Sequence, residues 1–135
     1  MDTLTPEQRS VRMARIRSKG TRPEWFVRRL VFSLGYRYRL HRRELPGSPD
    51  LVFANRRRVI FVHGCFWHLH AACRLARIPK TKKRFWVAKL TANRRRDLRD
   101  RRALTRGGWK TLVVWECQLR SRQRLERKIV RFLAG

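Results

Sequence analysis

Acidic residues are scarce in this chain. Nine Asp and Glu face 36 Lys and Arg, which leaves a formal charge of +27 over 135 residues. Self-repulsion on that scale opposes folding, and a polyanion relieves it. Nucleic acid is the first partner this suggests and an anionic membrane surface the second. Long apolar runs are also missing. Nothing approaches the ~20 apolar residues of a membrane-spanning helix, and the opening MDTLTPEQRS has no secretory apolar core. The expectation is a cytoplasmic protein with no membrane partner. Cysteine is limited to three, an odd count that argues against a disulfide framework. Repeats, low-complexity linkers and composition breaks are absent, and the length suits one domain with one modest core. At 42% hydrophobic the chain is not a disordered basic tail. Charge alone says polyphosphate; it does not say enzyme.

What is present is regular punctuation. Thr5-Pro6-Glu7-Gln8 starts a short helix that carries Met13 and Ile16 and ends at Lys19-Gly20. Having few apolar residues, it reads as an arm, residues 1–19, attached to a single domain spanning 1–135. Thr21-Arg22-Pro23-Glu24 repeats the start signal before Phe26, Val27, Leu30, Val31 and Leu34 at helical spacing, with Gly35 as the stop. Tyr36, Tyr38 and Leu40 then alternate with arginines, which predicts a half-buried strand. Leu51–Phe53 and Val59–Val62 read as a hairpin around Asn55-Arg56-Arg57. A His- and Cys-rich loop runs from His63 to Pro79. A long helix follows from about Lys83 to Arg106, with Trp86, Leu90, Leu98 and Leu104 toward the core. Lys110 to Trp115 is a buried strand, and Ser121 to Ala134 a last amphipathic helix on Leu125, Ile129, Phe132 and Leu133. The order α-α-β-β-β-α-β-α makes the chain α/β, a mixed sheet flanked by helices.

Cys65-x4-His70-x2-Cys73 is a compact set of soft ligands, and Cys117 lies just after the last strand. Three thiolates and one imidazole make a closed tetrahedral zinc site, structural because no position is left for water. Buried apolar cysteines are the plain alternative. On spacing, His68 competes with His70 as the imidazole ligand.

A hard cation such as Mg²⁺ needs carboxylate oxygen. Asp50 opens an apolar strand after Pro49, and a hairpin would bring it to Val62-His63; otherwise it is only a turn residue. Glu24 also fits the third position of a capping box. Glu116 and the Asp97/Asp100 pair read as surface partners of neighbouring arginines. Phe66-Trp67 in the Cys/His loop, and Phe85-Trp86 beside Lys80, Lys82, Lys83 and Arg84, suit stacking on or wedging between bases. Helix core explains Trp86 equally well.

Three blocks carry a resemblance. Pro46-Gly47-x-Pro49-Asp50, Val59-Ile60-Phe61-Val62-His63-Gly64-Cys65-Phe66-Trp67-His68-x-His70 and Val113-Val114-Trp115-Glu116-Cys117 resemble the very short patch repair DNA mismatch endonucleases, over nearly the whole chain. The resemblance implies a restriction-endonuclease-like core with one structural zinc. It implies an enzyme that nicks double-stranded DNA 5′ to the thymine of a T:G mismatch left by 5-methylcytosine deamination. Two catalytic Mg²⁺ ions are implied, with Asp50 as the bridging carboxylate and the Val62 backbone carbonyl as a further ligand. His68 resembles the general base. His63 and Glu24 resemble outer residues that hold the waters around the cations. Cys65, His70, Cys73 and Cys117 match the zinc ligands, which selects His70 over His68. Phe66, Trp67 and Trp86 match wedging aromatics, Met13 a residue inserted from the minor groove, and Lys89 and Asn93 contacts to the mismatched pair. The implied protein is a bacterial monomer, associated with the nucleoid when bound to DNA, that works with mismatch-repair proteins and DNA polymerase.

Two departures stand out. Val62 replaces a threonine, which keeps the carbonyl and loses the hydroxyl. Ala71-Ala72 separate His70 from Cys73 where the family has one residue. Two other readings stay open beside T:G nicking: a nicking enzyme with another mismatch or sequence target, and a zinc-stabilised DNA-binding module without catalysis.

Overall fold

The computed structural model describes residues 21–135; the expected first helix and Met13 lie outside them. Helix α1 spans Arg22–Ser33, capped by Thr21, whose Oγ1 accepts from the Glu24 amide at 3.4 Å, with Pro23 in the first turn. Gly35 follows at φ +93°, a conformation that suits glycine and ends the helix. Strands β1 (Arg39–Leu40), β2 (Leu51–Phe53), β3 (Arg58–His63) and β4 (Lys110–Trp115) form one sheet in the order β1-β2-β3-β4. β1–β2 and β2–β3 pair antiparallel and β3–β4 parallel. The parallel pair needs a long crossover, which helix α2 (Lys83–Arg106) supplies; helix α3 (Arg122–Ala134) closes the chain. The mixed sheet flanked by helices is therefore observed, as is the β2–β3 hairpin.

Strand alternation sorts the core onto two faces. Leu51, Phe53, Ile60 and Val114 meet Val27, Leu30 and Val31 of α1 and Leu125, Ile129 and Leu133 of α3. Val52, Val59 and Phe61 point the other way, toward Leu104 of α2.

Three expectations are corrected. The strand over Tyr36–Leu40 shrinks to Arg39–Leu40, and Leu40 is 42% exposed. Its only partner among the described residues, β2, is three residues long, so the ladder has nowhere to continue. Tyr36 and Tyr38 still pack on the core from irregular chain. Leu98 is 37% exposed. At 24 residues α2 runs about 36 Å, well beyond a six-residue strand. Its Leu104 end covers the sheet, and its first half, through Asn93, contacts the Cys/His loop instead. Trp86 sits in that first half and joins an aromatic cluster, not the sheet core. No helix among the described residues is long and apolar enough to cross a membrane.

Candidate active site and metal centre

Sheet register assembles both centres at one end of the molecule. Leu51 pairs with Ile60, so Asp50 falls beside the end of β3. The Val62 amide donates to Asp50 Oδ2 at 2.6 Å. In an extended strand a residue's N–H and C=O point to the same side, so the Val62 carbonyl also faces Asp50. His63 pairs with Trp115 in the parallel register, and the same alignment two residues on brings Cys65 to Cys117.

Around Asp50 stand Glu24 and His41. Glu24 is 3% exposed. Its backbone amide is capped by Thr21, as the start signal implies, but its carboxylate turns inward. Oε2 accepts from Arg28, and Oε1 lies 3.1 Å from His41 Nε2. His41 Nε2 is also 3.6 Å from Asp50 Oδ1. Burial and the neighbouring Glu24 carboxylate push the Asp50 carboxyl up to about 8, against the Val62 amide. Although burial opposes it, Glu24 is held below its ordinary value by His41, Asp50 and Arg28. The pair thus favours one shared proton until a cation arrives.

On the other side of Asp50, the His63 and His68 rings stack 3.7 Å apart and 3° from parallel. Burial, with His68 and Arg101 nearby, lowers His63 to about 2, so this imidazole is neutral. His68 Nδ1 bonds Asp97 Oδ2. The carboxylate accepts, which keeps the proton on Nδ1 and leaves the Nε2 lone pair free. Asp97 is therefore not a surface partner of arginines; Asp100 lies 3.7 Å from Arg99, yet it too lines the cleft around Asp50 and His68. Asp50, Val62, His63, His68, Asp97 and Arg101 line a cleft of about 150 Å³. Arg101 Nε is buried there with no hydrogen-bond partner among the described residues.

Cys65, His70, Cys73 and Cys117 each offer a donor atom, all within 4.8 Å of one another. Tetrahedral zinc with ~2.3 Å bonds to sulfur spaces its ligands by about 3.8 Å. Cys117 Sγ lies 3.5 Å from His70 Nδ1, which is the imidazole nitrogen facing the thiols. Three sulfurs and one nitrogen at this spacing fit zinc. Burial and the adjacent cysteines push the Cys65 thiol up to about 12, the cost of crowding thiols that a cation would offset. The extra residue before Cys73 is accommodated by a left-handed turn at Ala72, φ +53°. His68 faces the other way, so His70 is the imidazole in this cluster. Glu116 Oε1 accepts from the Cys65 amide at 3.4 Å and braces the loop.

The aromatics form a cluster in which Trp67 is buried and Phe66 and Trp86 are half-buried. Phe66, Trp67 and Trp86 lie with ring centroids 5.1 to 5.9 Å apart, and an exposed Phe85 sits on Trp86. Asn93, 7% exposed, donates to the Trp67 carbonyl at 3.2 Å and anchors the cluster to α2. Lys89 Nζ lies 5.9 Å from the Phe85 ring.

His41, Asp97 and Arg101 escaped the sequence reading. His41 follows a strand and belongs to no motif. Asp97 and Arg101 sit in an arginine-dense helix where composition does not set them apart. For Asp97 and Arg101 helical period offered a signal, since residues 93, 97 and 101 recur every four positions on one face of α2.

A basic molecule with an acid and histidine cleft of this kind falls in the class of DNA endonucleases. The chain belongs to a particular family of them: the model described as DNA mismatch endonuclease Vsr matches residues 1–74. Over 95% of its length it is 52% identical to the type II nicking enzyme V.XorIIP of Xanthomonas oryzae, covering 93% of that protein. It is 41% identical to the type II nicking enzyme V.NmeAIP of Neisseria meningitidis, over 95% of this chain and 94% of that one. The DNA mismatch endonuclease Vsr of Escherichia coli is 43% identical over 87% of this chain and 74% of its own.

Proposed function

We propose that this Vsr-family endonuclease nicks double-stranded DNA 5′ to the thymine of a T:G mismatch. The observation that carries the reading is the convergence of Asp50, His63, His68 and Asp97 on one cleft at the end of β3. Asp50 and the Val62 carbonyl would supply oxygen to Mg²⁺, and Glu24 and His63 would hold the waters around it. When bound there, the cation neutralises charge on the scissile phosphate and acidifies water. His68 Nε2 takes the proton from the attacking water, and Asp97 holds the ring and its tautomer. His63 stays neutral and packs flat on His68, which fixes the plane in which Nε2 points. Arg101, which lines the cleft, suits a phosphate oxygen. Phe66, Trp67 and Trp86 wedge at the mismatch, where unstacking costs least. Lys89 and Asn93 sit next to that wedge. Cys65, His70, Cys73 and Cys117 hold one structural zinc. The domain is a single restriction-endonuclease-like unit over 1–135, with 1–19 as a DNA-embracing arm that carries Met13, acting as a cytoplasmic monomer upstream of DNA polymerase.

A second reading keeps the chemistry and changes the target. The relatives named type II nicking enzymes include the one at 52% identity, which favours a sequence context other than that of the Escherichia coli protein. Nicking of a duplex panel that varies the mismatch and its flanking bases, in Mg²⁺, tests both. T:G-only cutting is expected, lost in Asp50→Ala and His68→Ala while binding persists. Cutting of matched duplexes at equal rate, or normal cutting by both variants, would overturn it.

A further inference from the structure

The two-residue strand β1 delivers one side chain to the cleft. Its register against β2 pairs Arg39 with Val52 and Leu40 with Leu51, so the next step sets His41 opposite Asp50. His41 adopts φ +47°, a left-handed conformation that few residues with a side chain adopt and that clusters at functional sites. From that turn its Nε2 reaches within 3.1 Å of Glu24 Oε1 and 3.6 Å of Asp50 Oδ1. The Glu24 oxygen is an acceptor, so Nε2 carries the proton and donates to it. Glu24 is buried, and the donors that meet its carboxylate decide where it points. Arg28, one turn along α1, holds Oε2. One donor fixes one oxygen only; the last torsion of a glutamate side chain is broad, so the other oxygen could still swing. His41 takes that second oxygen from a different element. Two donors on two oxygens, one from α1 and one from the end of β1, set the plane of the group. Each oxygen keeps acceptor capacity for a water.

We propose that His41 is a positioning residue of the Mg²⁺ centre: together with Arg28 it fixes the Glu24 carboxylate so that it faces the waters around a cation on Asp50. The proposal rests on reading this cleft as the nuclease centre, and adds the residue that orients its outer carboxylate. The clamp matters most when Asp50 is engaged. In the metal-free protein Glu24 and Asp50 share a proton, which by itself ties the two carboxyls together. With Asp50 given over to the cation that proton is gone, and Arg28 and His41 are the donors left on the Glu24 carboxylate among the described residues. Outer hydrogen bonds of this kind are worth roughly 10–100-fold in metal affinity or activity. His41 acts through Glu24 and is not itself a ligand of the cation.

The test is calorimetric titration of the zinc-loaded full chain with Mg²⁺, beside the Mg²⁺ dependence of nicking. His41→Leu should weaken Mg²⁺ binding roughly 10-fold. It should raise the half-saturating Mg²⁺ for nicking in step, with duplex affinity and zinc content unchanged. His41→Gln, whose side-chain amide can donate to the same oxygen, should recover most of the loss. In a Glu24→Ala background His41→Leu should cost less than about 2-fold, because the group it acts through is gone. Nitrogen-15 spectra of the unmodified protein give a reading that needs no variant: the His41 proton should sit on Nε2 with and without Mg²⁺. Unchanged Mg²⁺ affinity in His41→Leu, no recovery in His41→Gln, an equal loss on top of Glu24→Ala, or an Nε2 that gives up its proton when Mg²⁺ is added would overturn the proposal. The outcomes separate it from the nuclease reading. Nicking whose Mg²⁺ dependence ignores His41 sinks only the clamp; a His41-dependent Mg²⁺ affinity without nicking on any duplex sinks only the nuclease assignment.

Discussion

Trp115 stacks on His70, 4.0 Å between ring centroids and 8° from parallel, while its edge meets His63 at 5.3 Å. One indole therefore joins a ligand of the thiolate cluster to a histidine of the cleft. The Cys/His cluster and the cleft share a wall.

Trp115→Leu should keep about one zinc per chain, because all four donors remain, yet lower kcat with little change in KM. A drop of roughly 10-fold is expected, from a small misplacement of His63 and His68. Elemental analysis and steady-state nicking give the two numbers. An unchanged kcat would show that the ring does not position His63. Chelating the zinc should lower the melting temperature and abolish nicking together, since the cluster clips the loop to the end of β4.

Asp97 should matter as much as a motif residue. Asp97→Asn can donate to His68 Nδ1, which favours the tautomer with its proton on Nε2 and removes the free lone pair from the cleft. A loss of about 100-fold or more in kcat is expected with KM nearly constant. Thr105→Gly, exposed toward the far end of the same helix, should cost little. Equal losses from both substitutions would point to helix stability instead.

Two cleft residues give the metal-free protein opposite pH responses. Asp50 is raised toward about 8 by burial and Glu24. A raised carboxyl lends stability below its unfolded value near 4 and loses it as pH climbs to about 8. Asp50→Asn should therefore melt higher than the parent at pH 8, with the gap closing near pH 4 and shrinking when a divalent cation is added to the parent. His63 is lowered to about 2 by burial, His68 and Arg101. Its stability is intact above the unfolded value near 6.5 and falls by up to about 1.4 kcal/mol per pH unit below it. Melting curves of Asp50→Asn and His63→Gln across pH 3 to 9 check both signs. A flat difference for either variant contradicts its shift.

Gly47 has φ +77°, and a Cβ there would meet the Phe61 ring and Asp100 Cβ at 3.1 Å. Gly47→Ala should destabilise by roughly 1–3 kcal/mol through strain and overpacking. It should also shift the loop that delivers Asp50. Denaturant unfolding measures the first effect and Mg²⁺-dependent nicking the second; a neutral outcome in both would mean the loop can give way.

The split between what was readable in the chain and what was not follows contact range. Capping residues, the 3.6 period of Val27, Leu30 and Val31, the apolar runs at Leu51 and Val59, and the Gly107-Gly108 stop are local signals. They located the elements. Position before an apolar strand marked Asp50, and spacing marked Cys65 and Cys73 with either His68 or His70; the family resemblance added His63, the role of His68 and the choice of His70. Local pattern misled where an element's partner was decisive. The period-two run Tyr36 to Leu40 lacks a ladder to join, and Leu98 lies where α2 has no sheet beneath it. His41 and Asp97 come from separate parts of the chain, and no spacing rule links either to its partner. By itself the sequence determined an arginine-rich α/β chain, its element order and two sets of polar candidates. Only tertiary structure decided which candidates share a cleft, because the register of β3 against β2 and β4 converts distant positions into neighbours a few ångströms apart.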